Sequence, residues 1–181
     1  MTHDPGGKVR LPLPLYMRGG ADFCGPADCY RVMLWRAWGD PDAPYPLLIG
    51  MNPSTAAADV NDPTVHKEIG FTQRWGFGRY YKGNVSAYRA TDPKRLRKAP
   101  IRCDENLPAI MTAAKDAARV VVAFGNVKHE MRALAEEVVA TLRAANISLW
   151  CFGMNGDGSP CHPLYLPSNT SLVEWPGWKG C

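Results

Sequence analysis

The sequence lacks long hydrophobic runs. None of its apolar stretches approaches the roughly 20 residues that a membrane-spanning helix needs. The first 17 residues, MTHDPGGKVRLPLPLYM, are too polar and too rich in proline for a signal peptide. We therefore expect a cytoplasmic protein that does not bind a membrane.

A strong excess of charge of one sign is also missing. The 181 residues include 21 Lys and Arg against 17 Asp and Glu, which gives a net charge of +4. So mild a positive charge assists binding to an anionic partner without indicating one. A hydrophobic content of 46% excludes disorder as the main state. Six cysteines are present, and we expect them to be reduced because a chain with its own core does not need disulfides.

Residues 1–29 show no apolar periodicity, so we predict an irregular N-terminal leader there. Strand-like and helix-like segments then alternate from Tyr30 onwards. The pattern predicts strands over 30–38, 46–50, 80–88, 119–126 and 147–153, and helices over 64–75, 103–118 and 127–142. This order predicts an α/β fold, a three-layer α/β/α arrangement with a mostly parallel central sheet. Because the sequence shows no internal repeat and no linker, we expect residues 30–181 to form one domain and the protein to be a monomer.

Polar turns follow the predicted strands, at the edge of the sheet where such folds bind ligands. In GMNPS, Gly50 permits a close approach of the backbone and Pro53 fixes the start of the next segment. The amide of Asn52 is suited to positioning a nucleophilic water, although it would equally suit a capping turn. In CHPLYL, His162 is placed to donate a hydrogen bond to a developing anion, the alternative being a structural histidine.

Four segments that occur in this order carry a resemblance: LLIGMNPS, GNVSAYRATDP, CDENLPAIMTAAKDAARVVVAFGN and CHPLYL. Over about residues 46–167 they resemble the uracil-DNA glycosylase superfamily. The whole chain looks closer still to an uncharacterised bacterial and phage family marked by NPSTA, DPT, AYRATDP and HPLYL.

The resemblance implies hydrolysis of an N-glycosidic bond, on a uracil-type or modified base that is flipped out of DNA. It implies that Asn52 positions the water, His162 stabilises the departing base and Asn84 reads the base edge. A water on one side and a donor on the other fit a reaction with an oxocarbenium-like sugar and an anionic leaving base. The remaining expected contacts to the base or substrate are Gly50, Met51, Pro53, Ser54, Asp62, Thr64 and Arg89.

The chain departs from the superfamily after the first turn. Where an aromatic residue usually stacks on the flipped base, NDPTVHK offers Thr64, which leaves the identity of the base open. Asp59, Asp62 and His66 in this region could bind a polar base, a sugar or a metal, but carboxylate-rich loops are more often turns. We expect no metal and no cofactor.

Three cysteines invite comparison with the iron-sulfur branch of the superfamily. Cys103 falls where that branch has a ligand, but the fourth position is Tyr88, and the gap from Cys24 to Cys29 is wider than usual. We interpret these cysteines as ordinary thiols.

A basic stretch, DPKRLRKAPIR, follows one predicted strand. We expect Lys94, Arg95, Arg97 and Lys98 to contact nucleic-acid phosphates, with DNA as the partner; a solvated basic loop is the alternative. Two other functions remain open. One is a catalytically silent nucleic-acid-binding module, and the other is a phage or defence enzyme acting on hypermodified DNA.

Overall fold

The computed structural model describes residues 3, 5–6, 9–96, 99–127 and 130–179. Within them the strands are β1 (Leu11–Pro12), β2 (Arg18–Cys24), β3 (Tyr30–Ala37), β4 (Pro46–Gly50), β5 (Val60–Asn61), β6 (Arg79–Asn84), β7 (Arg119–Val122), β8 (Leu149–Cys151) and β9 (Val173–Glu174). The helices are α1 (Pro63–Arg74), α2 (Pro93–Leu96), α3 (Asn106–Lys115) and α4 (Glu130–Ala144), with 3-10 turns over Pro26–Asp28 and Pro163–Tyr165. None of these helices is long and apolar enough to cross a membrane.

Seven strands form a mixed sheet in the order β2-β3-β6-β4-β7-β8-β9. The four central strands, β6, β4, β7 and β8, run parallel. Strands β2 and β3 on one edge and β9 on the other pair antiparallel. The predicted α/β class is therefore correct. The predicted mostly parallel arrangement holds only for the four central strands, because the strands at both edges are antiparallel. Five residues connect β2 to β3, too few for the crossover that a parallel pair requires.

Strand β2 corrects the prediction of an irregular leader over residues 1–29. It pairs with β3 along its whole length, Gly20 opposite Trp35. A Cβ atom on Gly20 would collide with Nε1 of Trp35, so glycine is required for the indole to lie across the strand. Glycine is depleted in strands, and RGGADFC therefore does not look like one in the sequence.

Helices cover both faces of the sheet. Leu47 and Ile49 of β4 belong to a core cluster with residues of α3 and α4, whereas Leu48 belongs to a second cluster with residues of α1. This alternation follows from the period of two in a strand. The chain passes from β4 to β6 on one side and then returns to β7 on the other side of β4. The carboxyl ends of β4 and β7 therefore flank the point where the strand order reverses, the usual ligand position in such sheets.

Candidate functional site

The turn after β4 continues the sheet by backbone pairing. The amide nitrogens of Val85, Ser86 and Ala90 donate to the carbonyls of Gly50, Met51 and Pro53, each at 2.9 Å. These hydrogen bonds hold the turn in a fixed position at the carboxyl end of the parallel strands. Pro53 is buried in it, Ser54 is half-buried, and Met51 packs against the core cluster on the α3 and α4 face.

The side chain of Asn52 also holds this turn. Its Nδ2 donates to the carbonyl of Ala90 at 2.7 Å and to that of Pro53 at 2.9 Å. These two bonds support the interpretation of Asn52 as a residue that holds the turn. They also fix the amide so that Oδ1, which bonds to no residue of the described chain, remains an acceptor for water.

His162 begins the 3-10 turn over Pro163–Tyr165 and lies beside Gly125, just after β7. A Cβ atom on Gly125 would be 3.3 Å from that of His162. Nδ1 of the imidazole accepts a hydrogen bond from the amide of Leu164 at 3.3 Å, so the neutral ring carries its proton on Nε2. Burial, together with the nearby Lys82 cation, lowers the pKa of His162 to about 4, and Asp62 opposes the shift. His162 is therefore a neutral donor at pH 7.

Lys82 and Glu68 form a buried ion pair that the sequence analysis missed. Nζ of Lys82 on β6 lies 2.5 Å from Oε1 of Glu68 on α1, and the two side chains are 4% and 0% exposed. Burial raises the pKa of Glu68, against the opposing effect of Lys82. The available signal was the alternation of Tyr80, Lys82 and Asn84, which places two polar side chains on one face of a central strand.

Asn84 lies directly opposite Gly50 in the sheet. Its Oδ1 accepts from Nη2 of the buried Arg31 at 3.1 Å, while Nδ2 is buried and has no hydrogen-bond partner in the described part of the chain. A Cβ atom on Gly50 would lie 2.8 Å from this Nδ2 and 3.1 Å from Nζ of Lys82. Any other residue at position 50 would collide with these two donors, so glycine is required for both of them to lie beside the turn.

Asp62 caps helix α1, which runs beside this cluster. Its side chain is buried and accepts from the amide of Val65 at 2.8 Å. Thr64 is half-buried in the first turn of the helix. The carboxylate of Asp62 is thus engaged by the helix, and its charge opposes the lowering of the His162 pKa.

Several predicted residues lie apart from this group. Arg89 donates to the carbonyl of Asp28 at 3.0 Å, and its guanidinium lies 4.9 Å from the ring of Phe23, so it faces the connection from β2 to β3. Lys94 and Arg95 are exposed on α2. Arg97 and Lys98 lie outside the described residues.

The candidate metal ligands are also separated. Asp59 and His66 are exposed, and across the described ranges no three His, Cys, Asp or Glu side chains are grouped to hold a metal ion. Sγ of Cys24 lies 3.5 Å from Sγ of Cys103. Burial, together with the hydrogen bond to Cys103, raises the pKa of Cys24 to about 12, so it is a protonated thiol at neutral pH.

One family model, described as a protein of unknown function (DUF1643), matches residues 31–164. Neither the curated proteins nor the solved structures contain a match to this chain. The matched range includes Asn52, Lys82, Asn84 and His162, together with the strands and helices that position them. With 134 of 181 residues covered, this chain belongs to the DUF1643 family.

Proposed function

We propose that this protein hydrolyses the N-glycosidic bond of a uracil-type or modified nucleobase in DNA, with a three-layer fold of the uracil-DNA glycosylase type. The observation that carries the proposal is the neutral His162 at the reversal point of the strand order. The Nε2–H of this neutral imidazole bonds to no residue of the described chain, so it can donate to a departing anionic base and stabilise its charge.

The two donors beside Gly50 support recognition of the base by the same site. Nδ2 of Asn84 and Nζ of Lys82 both lie near this glycine, and a ring carbonyl of the base would be a suitable acceptor for either of them. Glu68 neutralises Lys82, which favours a neutral carbonyl over a phosphate at this position. Arg31 holds Oδ1 of Asn84, so the amide offers the base a donor only.

In the proposed reaction the bond from C1′ to the base nitrogen breaks, and its electron pair leaves with the base. Nε2–H of His162 donates to the resulting anion. A water that donates to Oδ1 of Asn52 supplies the oxygen that bonds to C1′. The proton released by this water passes through solvent to the departed base.

A catalytically silent nucleic-acid-binding module is the second candidate. It is favoured by the hydrogen bonds of Asn52, because both amide protons are used to hold the turn. The half-buried Thr64 at the place of the usual stacking aromatic favours it as well. Binding to DNA without any abasic product would support this candidate.

A single-turnover assay tests the enzyme. The first substrates are oligonucleotides that contain uracil, hydroxymethyluracil or mismatches. Hypermodified phage DNA is a further substrate, which tests the alternative of a phage or defence enzyme. Alkali cleavage detects abasic sites and mass spectrometry detects the released base. We expect release from at least one substrate, reduced about a hundredfold by His162→Ala because the donor to the leaving anion is lost.

His66→Ala is the matched control, since His66 is exposed on α1. Release by His162→Ala at the wild-type rate would exclude the proposed role of His162. Absence of release from all substrates would exclude the glycosidase.

A further inference from the structure

A cavity lies beside the amino end of β7, where the end of α1 and the loop over residues 168–172 meet the sheet. It has a volume of about 530 Å³ and is lined by residues that include Arg74, Trp75, Arg119 and Trp150. Arg119 is the first residue of β7, and Trp75 directly follows α1. The volume lies in the range of small-molecule sites. None of the residues that we predicted from the sequence as site residues lines this cavity.

We infer that this cavity binds a nucleoside phosphate, either as a free nucleotide or as one unit of a nucleic-acid strand. The charge of the lining residues is positive, with Arg74 and Arg119 and, among the described lining residues, no Asp or Glu. Nζ of Lys67 lies close by, since it donates to Oγ of Ser168 at 3.2 Å. Three cations without a lining carboxylate favour an anionic ligand.

Arg119 is oriented to bind a phosphate. Its guanidinium stacks on the ring of Trp150, with 4.4 Å between Cζ and the ring centroid. Stacking uses the face of the guanidinium and leaves the N–H donors at its edge available. These donors make no hydrogen bond or ion pair to the part of the chain that the structure describes. A planar fork of free donors matches the oxygens of a phosphate.

Trp75 and the loop over residues 168–171 indicate where the nucleoside part of the ligand would bind. Trp75 packs on Phe71 and Phe152 and remains half-buried, which gives the cavity a rigid aromatic wall for a planar base. The loop has the sequence Ser-Asn-Thr-Ser, and Thr170 stabilises it by donating to the carbonyl of Pro167 at 2.7 Å. Its remaining hydroxyl and amide groups suit a ribose or a base edge.

Calorimetric titration of the full chain tests the inference. The probes are the 5′-monophosphates of deoxyadenosine and deoxythymidine, the two nucleosides, inorganic phosphate and a single-stranded oligothymidylate. We expect at least one phosphate-bearing nucleotide probe to bind about tenfold or more tighter than both the nucleoside and inorganic phosphate, because stacking and the charged fork then act together. Binding of the mononucleotides indicates a free nucleotide, and binding of the oligonucleotide alone indicates a strand.

Arg119→Gln removes the charged fork and should weaken nucleotide binding about tenfold. Arg143→Gln is the matched control, because Arg143 also lies over a tryptophan, Trp175, but does not line this cavity. The melting temperature of each variant shows whether it is folded. If no nucleotide probe binds, or if Arg119→Gln binds as tightly as Arg143→Gln, the inference is overturned. Neither result depends on base release at the site near His162.

Discussion

The neutral state of His162 makes the free energy of unfolding depend on pH. Its pKa is about 4 in the folded chain and about 6.5 in the unfolded chain, so the unfolded chain binds more protons between these values. The free energy of unfolding should therefore fall by about 1–3 kcal/mol as the pH decreases from 6.5 to 4, a range that allows for the partial exposure of the ring. Above pH 6.5 this group has no effect.

Urea denaturation at pH 7.5, 6.0 and 4.5 measures this dependence. In His162→Gln the decrease between pH 6.5 and 4 should become smaller, because glutamine does not titrate. His66→Gln controls for the loss of an exposed histidine. An equal decrease in His162→Gln and in the wild-type chain would contradict the assignment.

Asn52→Ala separates the two roles of the turn. Loss of the hydrogen bonds to Ala90 and Pro53 should reduce the free energy of unfolding by about 1–2 kcal/mol. If Oδ1 also positions the water, turnover per folded molecule should fall by a further factor of about a hundred. Melting temperature and single-turnover rates measure the two effects independently. A stability loss with unchanged turnover per folded molecule would leave Asn52 a structural role only.

At the residue scale, the sequence predicts the residues that local turn geometry requires, but it does not predict the contacts between residues far apart in the chain. Gly50, Pro53 and Pro163 lie in the turns that hold Asn52 and His162. Turn residues such as Gly and Pro can be recognised from a short segment of sequence. The fixed orientation of Asn84 depends instead on Arg31, which is 53 positions away. The ion pair of Lys82 with Glu68 likewise forms only because β6 packs against α1, and no local sequence pattern predicts that packing.

Helix α2 is the element for which a nucleic-acid role can be measured directly. Lys94 and Arg95 are exposed on it, and Arg102, farther along the same basic stretch, is paired with Glu137 at 2.9 Å. If both exposed cations contact phosphates, Lys94→Ala with Arg95→Ala should weaken DNA binding and reduce the slope of log K against log salt by about two.

Titrations of a DNA duplex at several salt concentrations give this slope. Lys115→Ala with Arg143→Ala is the control, since it removes the same charge from other parts of the surface. If the two double variants show the same slope, the assignment of α2 as a phosphate-contacting edge is wrong.

The predicted elements that match the structure are those with a clear hydrophobic period. The prediction of 46–50 as a strand agrees with β4, and that of 64–75 as a helix agrees within one residue with α1. Strand β9 was missed because it has only two residues, Val173 and Glu174, both exposed. A strand held at the edge by pairing with β8 has no apolar face to reveal it.

For the whole molecule, the described residues of the N-terminal segment are part of the fold and contact the loops near the candidate site. Oγ1 of Thr55 donates to the carbonyl of Val9 at 3.2 Å, and Oγ1 of Thr91 donates to that of Pro5 at 2.9 Å. Strand β1 pairs with β5, just before α1. These contacts are long-range, so a chain segment without periodicity can still be ordered by the domain that it covers.

A chain restricted to residues 30–181 should therefore be much less stable than the full chain, although its sequence holds the four central strands and α1, α3 and α4. It loses β2, which leaves β3 as an open edge that is prone to pair with other chains. We expect a melting temperature lower by roughly 10 °C or more, as several kcal/mol are lost from a domain of this size, together with concentration-dependent association. Gly20→Val gives an independent reading, because its side chain would collide with Trp35 and weaken the same pair of strands without removing residues. Thermal denaturation and light scattering measure both variants. If the shortened chain melts like the full chain and remains monodisperse, β2 and the N-terminal contacts are dispensable, and the domain begins at Tyr30.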